Sequence, residues 1–330
     1  MFGALASLPS VPFAPEPTAV EEMPRLRAAL GGGPRLLVKR DDAIGFAFGG
    51  NKVRKMRLIA ADALSRQADT LITCGGVQSN HARVTAAAAA KLGLRCVLVA
   101  NGTPPQPPTA NALLARLLGA DIRYVADRDA RTPAMEAAAE EERAAGRAPY
   151  VIPLGASTPL GAAALAHAAT ELFEQIAPPD VIVHASSSAG TQAGLVAGCA
   201  WANVRTRVIG ISADEPSASL TASIRELLSG LADLVGPAAS PHTRALADAA
   251  IEVDDSFVGD GYGVPTPTSM EAASLLARTE ALFLDQTYTA KAMAGLIARV
   301  RSGAFRDAET VLFWHTGGAP AIFAYARDLL

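Results

Sequence analysis

The sequence predicts an α/β protein built on open, twisted, mostly parallel sheets with helices on both faces. Short β-branched or apolar runs recur along the chain, and longer alanine-rich stretches with helical spacing separate them. Steady alternation of the two is the pattern of parallel strands joined by helical crossovers. Half of the 330 residues are hydrophobic and 18% are charged, so a large core is available without disulfide staples.

Taken in order, Leu36–Lys39 is the first apolar run and reads as a strand, and Lys52–Arg66 is the first helical stretch. Thr70–Cys74 and Arg95–Ala100 are strands around the alanine-rich helix Asn80–Leu92. Thr109–Leu118 is helical, Ile122–Val125 is a strand, Pro133–Ala145 is helical and Tyr150–Pro153 is a strand. Leu160–Ile176 and Gly190–Ala202 are helices on either side of the strand Val181–His184. Arg207–Ile211 and Val311–Trp314 complete the strands. The Pro-rich Asn101–Pro108 breaks the pattern as a loop, and a second loop-rich stretch spans Gly236–Thr243. Neither is long enough for an interdomain linker. If the length is shared by two domains of about 150 residues each, the chain crosses between them more than once.

Lys and Arg total 29 against 32 Asp and Glu, a net charge of −3. That balance lacks the basic excess of a nucleic-acid binder. Cys74, Cys96 and Cys199 are odd in number and sit in apolar runs, as buried free thiols of a reducing, cytoplasmic compartment do. The proline-broken start lacks a basic region ahead of its apolar residues, which makes it a poor signal peptide. No run of 18 apolar residues exists to span a membrane. The histidines His81, His167, His184, His242 and His315 form no i, i+4 pair and have no C-x-x-C partner, so no metal site is expected. The G-x-S-x-G of a serine hydrolase is absent.

Enzymes of this class bind ligands in the loops that follow strand ends, and here such loops carry unusual residues. They are Gly45–Lys52, Gly75–His81, Ser186–Gly194 and His315–Gly318. In Ser186–Gly194, small residues after an apolar strand leave backbone N–H groups free at a helix start, where they and the helix dipole favour a phosphate. Ser188 and Thr191 add hydroxyl donors. The competing reading is close helix packing, because Gly190, Gly194 and Gly198 recur on one face. Gly45–Lys52 comes near a phosphate-binding P-loop, but Asn51 interrupts it and Val53 replaces the magnesium-binding hydroxyl. A helix start disfavours the charge of Lys52 and lowers its pKa, which suits Schiff-base chemistry; the alternative is an ordinary solvated lysine.

Together these loops resemble the fold-type II pyridoxal-phosphate enzymes, related in fold to the tryptophan synthase β chain. The similarity is to the branch of D-cysteine desulfhydrase and 1-aminocyclopropane-1-carboxylate (ACC) deaminase, and it runs from Val38–Asp42 to His315–Pro320. Its most specific pieces are Gly49–Lys55 (GGNKVRK), Gln78–Arg83 (QSNHAR), Gly261–Gly263 (GYG) and Tyr288–Met293 (YTAKAM). The resemblance implies pyridoxal 5′-phosphate joined covalently to Lys52, with Asn51 beside it and Asn80 on the ring hydroxyl. Ser187, Ser188, Ala189 and Gly190, with Thr191, would cradle the phosphate, although Ser188 and Ala189 depart from the glycine-rich form common in the family. Thr289 would meet the pyridine nitrogen and Thr316 would line the pocket. Gln78, Ser79, Asn80, His81, Tyr262 and Tyr288 would face the substrate, with Lys52, Ser79, Tyr262 and Tyr288 as the catalytic groups.

ACC deaminases carry a glutamate where this chain has Thr289, and Ser-Asn-Gln where it has Ser79–His81. A hydroxyl makes a weaker electron sink than a carboxylate-paired ring, sufficient for expelling a good leaving group from Cβ. The implied reaction is α,β-elimination of D-cysteine to pyruvate, ammonia and hydrogen sulfide, with Lys52 the first candidate base. Alternatives are L-cysteate sulfo-lyase, ACC deaminase and, from another class, a non-catalytic amino-acid-binding module. The resemblance further implies a homodimer, a small domain over residues 54–164 and a large cofactor-binding domain over 1–53 and 165–330. The partner is a small amino acid, with no nucleic acid and no membrane.

Overall fold

The computed structural model describes residues 2–236, 247–248, 250–306 and 308–326; the loop-rich stretch expected at Gly236–Thr243 lies, past Gly236, outside the described residues. Two sheets organise the chain. The larger has six strands: β1 (Val20–Glu22), β2 (Arg35–Lys39), β7 (Val181–Ser186), β8 (Arg207–Ser212), β9 (Ile251–Asp254) and β10 (Thr310–Trp314). Their order is β1-β2-β10-β7-β8-β9, parallel except for β1. The smaller sheet is wholly parallel, in the order β5-β4-β3-β6. Its strands are β3 (Thr70–Gly76), β4 (Arg95–Asn101), β5 (Asp121–Val125) and β6 (Pro149–Val151).

Every expected strand is present, and the α/β expectation holds. The central strands are apolar almost throughout because helices cover both of their faces: β7, VIVHAS, is buried from end to end. β1 and β9 escaped the sequence reading because they are short, partly polar edge strands.

The helices are α1 (Phe2–Ala6), α2 (Pro24–Ala29), α3 (Asn51–Ser65), α4 (Asn80–Leu92), α5 (Ala110–Leu117), α6 (Arg131–Ala144), α7 (Pro159–Gln175) and α8 (Gly190–Ala202). Then come α9 (Ser217–Val235), α10 (Pro267–Glu280) and α11 (Thr289–Arg301). Ser79 caps α4 by accepting from the Ala82 amide at 3.2 Å, and Gly93 ends it in the left-handed conformation. Thr158 caps α7, with Pro159 in its first turn. α7 packs against α8 so closely that a Cβ on Gly194 would lie 2.3 Å from the Ala162 carbonyl oxygen, and one on Gly198 2.5 Å from Ala169 Cβ. Two of the three recurring glycines therefore serve helix packing. The expected boundary at residue 164 falls inside α7.

A buried ionic cluster fixes α3 to the large sheet. Arg54 on α3 meets Asp41 and Glu171, each at 2.8 Å, and Lys39 on β2 reaches Glu171 at 2.5 Å. Trp314 Nε1 donates to the second oxygen of Asp41 at 2.8 Å. Cys74, Cys96 and Cys199 are free and buried. Burial pushes the Cys96 and Cys199 thiols up to about 12, which makes them inert. Among the described residues no helix is long and apolar enough to cross a membrane.

Candidate active site

The strand-end loops of both sheets open on one cleft, which encloses about 960 Å³ counted out to its mouth. Lys52, Gly75–Gly76, Ser79–His81, Gly155, Ala185–Ala189, Thr191, Tyr262, Tyr288 and Thr316 line it. Lys52 stands in the first turn of α3 and its Nζ donates to the Gly155 carbonyl at 3.1 Å. No carboxylate contacts it among the described residues, and burial, partly opposed by a hydrogen bond with Lys55, lowers its amine to about 8. Lys55, one turn on and fully buried, donates to the same carbonyl at 3.2 Å. Burial first, and the neighbouring Lys52 second, hold it well below an ordinary lysine. The site thus offers two buried amines that hold their protons weakly, Lys55 more weakly still than Lys52.

Across the cleft, β7 ends at Ser186 and leads into Ser187 and Ser188, and α8 starts at Gly190 after Ala189 turns through a positive φ of 65°. The first amides of α8 have no intrahelical acceptor, being in the opening turn. Thr191 Oγ1 accepts from Asn51 Nδ2 at 2.7 Å and Ser188 Oγ accepts from Ser157 Oγ at 2.8 Å. Both hydroxyl protons are therefore left to donate. Ser186 Oγ is buried and has no partner among the described residues. A Cβ on Gly190 would stand 2.7 Å from Lys55 Nζ and 2.9 Å from Ser157 Oγ, filling the space between the loop and the amine. Hydroxyl donors, a helix start, a buried amine and a space kept clear by glycine form a fitting cradle for a phosphate.

Asn80 is held from behind: its Oδ1 accepts from Asn111 Nδ2 at 2.8 Å, so its own amide hydrogens are available to an oxygen in the cleft. Tyr262 and Tyr288 meet edge to face, ring centroids 5.6 Å apart, with their hydroxyls hydrogen-bonded. Burial is the main cause that raises both phenols above their ordinary value.

The structure does not bring every expected residue into the cleft. Gln78 turns away, donating to the Thr109 carbonyl at 3.3 Å. Gly190 lies behind the loop as spacing rather than lining. Thr289 is fully buried at the start of α11; its hydroxyl donates to Asp285 Oδ1 at 2.7 Å and accepts from the Asp285 amide at 2.9 Å. The single proton of that hydroxyl is committed to Asp285, and Thr316 is the threonine of the pair that lines the cleft.

Several lining residues escaped the sequence reading. Arg128 and Arg131 come from the small sheet's side, Asp214 and Glu215 from the end of β8. The strand-end rule was signal enough for the acidic pair; nothing local marked the arginines. Arg128 meets Asp214 at 3.0 Å and Glu215 at 3.3 Å, and its guanidinium lies 5.1 Å from the centroid of the Tyr262 ring.

A family profile described as "Pyridoxal-phosphate dependent enzyme" matches residues 11–317. A crystal structure described as an ACC deaminase homologue is similar over 99% of this chain and 97% of its own, with 34% identity and a TM-score of 0.89. Processed threonine deaminase isoform 2 from Solanum lycopersicum is similar over 99% and 86%, with 19% identity and a TM-score of 0.71. Maize serine racemase is similar over 96% and 92%, with 17% identity and a TM-score of 0.67. The last two share the fold.

Proposed function

Because this chain belongs to the pyridoxal-phosphate-dependent enzyme family, with the fold-type II architecture, we propose that it catalyses α,β-elimination on a β-substituted amino acid, D-cysteine first among them. The products would be pyruvate, ammonia and hydrogen sulfide. The observation that carries the reading is Lys52: a cleft-lining amine lowered to about 8, facing a loop built to hold a phosphate.

Pyridoxal 5′-phosphate, when bound, supplies the electron sink that makes a substrate's α-proton labile. The protein's residues do the rest. Lys52 holds the cofactor and, once released, takes the α-proton at Nζ. Ser188, Thr191 and the first amides of α8 bind the phosphate, and Lys55 offsets its charge. The amide hydrogens of Asn80 bind the ring oxygen, and Thr316 takes the ring-nitrogen side in place of Thr289. Ser79 and the opening turn of α4 receive the substrate's carboxylate. Tyr262 and Tyr288 face the β-substituent and hold a proton between their hydroxyls for the leaving group. We carry the homodimer, the cytoplasmic location and the division at residues 54–164 as parts of the same proposal.

The likeness to an ACC deaminase homologue supports ring opening of ACC as a second reading. The comparison of a threonine with a glutamate at position 289 loses its footing, since Thr289 is tied to Asp285. His81 in place of glutamine still favours the desulfhydrase. The test is direct. The purified protein should be yellow, and Lys52→Ala should remove the colour and all turnover. Incubation with D-cysteine, L-cysteine, L-cysteate and ACC should yield pyruvate and sulfide from D-cysteine. Sulfite from cysteate or 2-oxobutyrate from ACC would replace this substrate, and a colourless protein with no turnover would leave only an amino-acid-binding module.

A further inference from the structure

Lys291 is fully buried in the first turn of α11, three residues beyond Tyr288, and does not itself line the cleft. Its Nζ donates to three backbone carbonyls, those of Val258 and Gly261 at 2.7 Å and that of Ala213 at 3.1 Å. Three acceptors need three hydrogens, so the group they surround is an ammonium rather than a neutral amine. Among the described residues no carboxylate touches it, whereas the charge of buried Lys39 is met by Glu171. Burial lowers the Lys291 amine, and the charges of Asp214 and Asp285 work against that. A cation buried on carbonyls alone is costly, and what it gathers shows its use.

Two of the three carbonyls belong to the segment that joins β9 to α10. Gly259, Gly261 and Gly263 take positive φ values of 63°, 128° and 75° there. The backbone bonds of residues 257–264 are local, Val258 to Asp255 and Val264 to Gly261. Those that fasten this stretch to the rest of the described fold come from Lys291. The third carbonyl, Ala213, follows the end of β8, and its amide donates to the Ser186 carbonyl of β7 at 2.9 Å. The ammonium therefore ties a glycine-rich loop to the fixed end of the large sheet.

The residues that follow two of these carbonyls, Tyr262 and Asp214, both line the cleft. α11 grips Tyr262 at both ends, through Lys291 at the backbone and through the Tyr288 hydroxyl at the tip. On its other side the ring lies against the small sheet, where a Cβ on Gly76 would meet its Cε1 at 3.3 Å. A shift of the loop would thus both break the hydroxyl pair and drive the ring toward or away from β3.

We propose that Lys291 is a positioning residue for Tyr262: its ammonium fixes the loop that carries the tyrosine and so keeps the phenol against Tyr288 and within reach of the substrate. No proton moves at Lys291. The inference rests on the reading of Tyr262 as a substrate-facing group of the site.

The test variant is Lys291→Met, which keeps the length of the side chain and removes its charge and its donors. The full-length, cofactor-free protein is labelled with ¹⁵N at its five tyrosines, and Tyr262→Phe assigns the Tyr262 amide. Its backbone order parameter should fall from about 0.85 to below about 0.6 in Lys291→Met, while that of Tyr150 stays rigid. A Tyr262 amide that does not loosen, or one that loosens together with Tyr150, overturns the proposal. The second reading is kcat of the cofactor-loaded enzyme on D-cysteine. Lys291→Met and Tyr262→Phe should each lower it, and the double variant should fall no more than about twofold below the worse single one. Losses that multiply show that Lys291 does not act through Tyr262 and overturn the proposal. Should Lys291→Met fail to fold, Lys291→Gln, which loses the charge and one of the three donors, is read in the same two ways with the same expectations. If the unaltered protein does not turn over D-cysteine, that substrate falls, and the order parameters decide the role of Lys291 alone.

Discussion

Lys52 Nζ and Lys55 Nζ donate to one and the same acceptor, the Gly155 carbonyl oxygen, at 3.1 and 3.2 Å. Two buried amines on one neutral oxygen cannot both hold a charge cheaply, so the pair is proton-poor until an anion arrives.

Burial of Lys52 sets a pH dependence with a definite sign. The Lys52 amine is lowered from 10.5 to about 8, so between these values the unfolded chain binds the extra proton. Stability of the cofactor-free protein then rises as pH climbs through this window. Denaturation midpoints compared with those of Lys52→Met isolate the contribution from other titrating groups. Parallel curves for the two proteins would mean that Lys52 is not perturbed.

Gly155 itself admits no side chain. Its φ is +67°, and a Cβ there would stand 2.2 Å from Ser188 Oγ and 3.2 Å from Lys52 Nζ. An alanine in that conformation costs about 1–2 kcal/mol in backbone strain, and the clash falls on both the amine and the cradle. Gly155→Ala should lower the melting temperature and release the cofactor, read as loss of visible absorbance on dialysis. A variant that stays yellow and as stable would disprove the packing argument.

Thr289 and Thr316 should separate cleanly. Thr289→Val removes both hydrogen bonds between its hydroxyl and Asp285, so it should cost about 1–3 kcal/mol of stability. Thr316→Val should leave stability nearly unchanged and weaken cofactor retention, measured by titrating the cofactor-free protein. The reverse outcome would return the ring-nitrogen position to Thr289.

The same two threonines mark how far the sequence could be read. Lys52, Ser79, Asn80 and the Ser186–Thr191 loop were legible because strand-end loops before helices have a fixed local chemistry, and the fold was legible because hydrophobic periodicity is local too. Which way a helix-start hydroxyl points depends on the neighbour that binds it. Thr289 turns to Asp285, four residues earlier, and no local pattern shows that. Arg128 was hidden for a related reason: it reaches the site only because the two sheets face each other, bringing Asp214 within 3.0 Å.

That Arg128–Asp214 contact spans the cleft mouth between the two sheets. Arg128 is 41% exposed, and ion pairs of this kind contribute about 0–1 kcal/mol. Arg128→Ala should therefore barely alter the melting temperature. It does uncover one face of Tyr262, whose ring lies 5.1 Å from the guanidinium, and it frees Asp214, which also accepts from Ser187 at 2.8 Å. The expected result is a several-fold rise in KM with a smaller change in kcat. An unchanged KM would show that the mouth contact plays no part in holding substrate.

Beneath the site, Glu171 is the hinge of the buried cluster, meeting Lys39 and Arg54, whose side chains are 0% and 2% exposed. Glu171→Gln keeps the shape and removes the charge, leaving Arg54 with Asp41 at 2.8 Å and Glu16 at 3.2 Å and Lys39 without an ion-pair partner in contact. Breaking one partner out of a buried ionic cluster costs about 3–5 kcal/mol, far more than the exposed Arg128 pair. The pH signature runs in the same sense as that of Lys52, stability rising with pH, but in an acid window. Burial opposes ionisation of Glu171, but Arg54 and Lys39 outweigh it and hold the carboxyl at about 2, against 4.5 ordinarily. Its stabilisation is therefore complete above pH 4.5 and is lost as pH falls toward 2. Denaturant midpoints across that acid range should fall for the unaltered protein and start low, with a shallower slope, for Glu171→Gln. Because Arg54 lies two residues beyond Lys52 on α3, the variant should also retain cofactor less tightly; full retention at lowered stability would show that the cluster supports the fold without aiming the lysine.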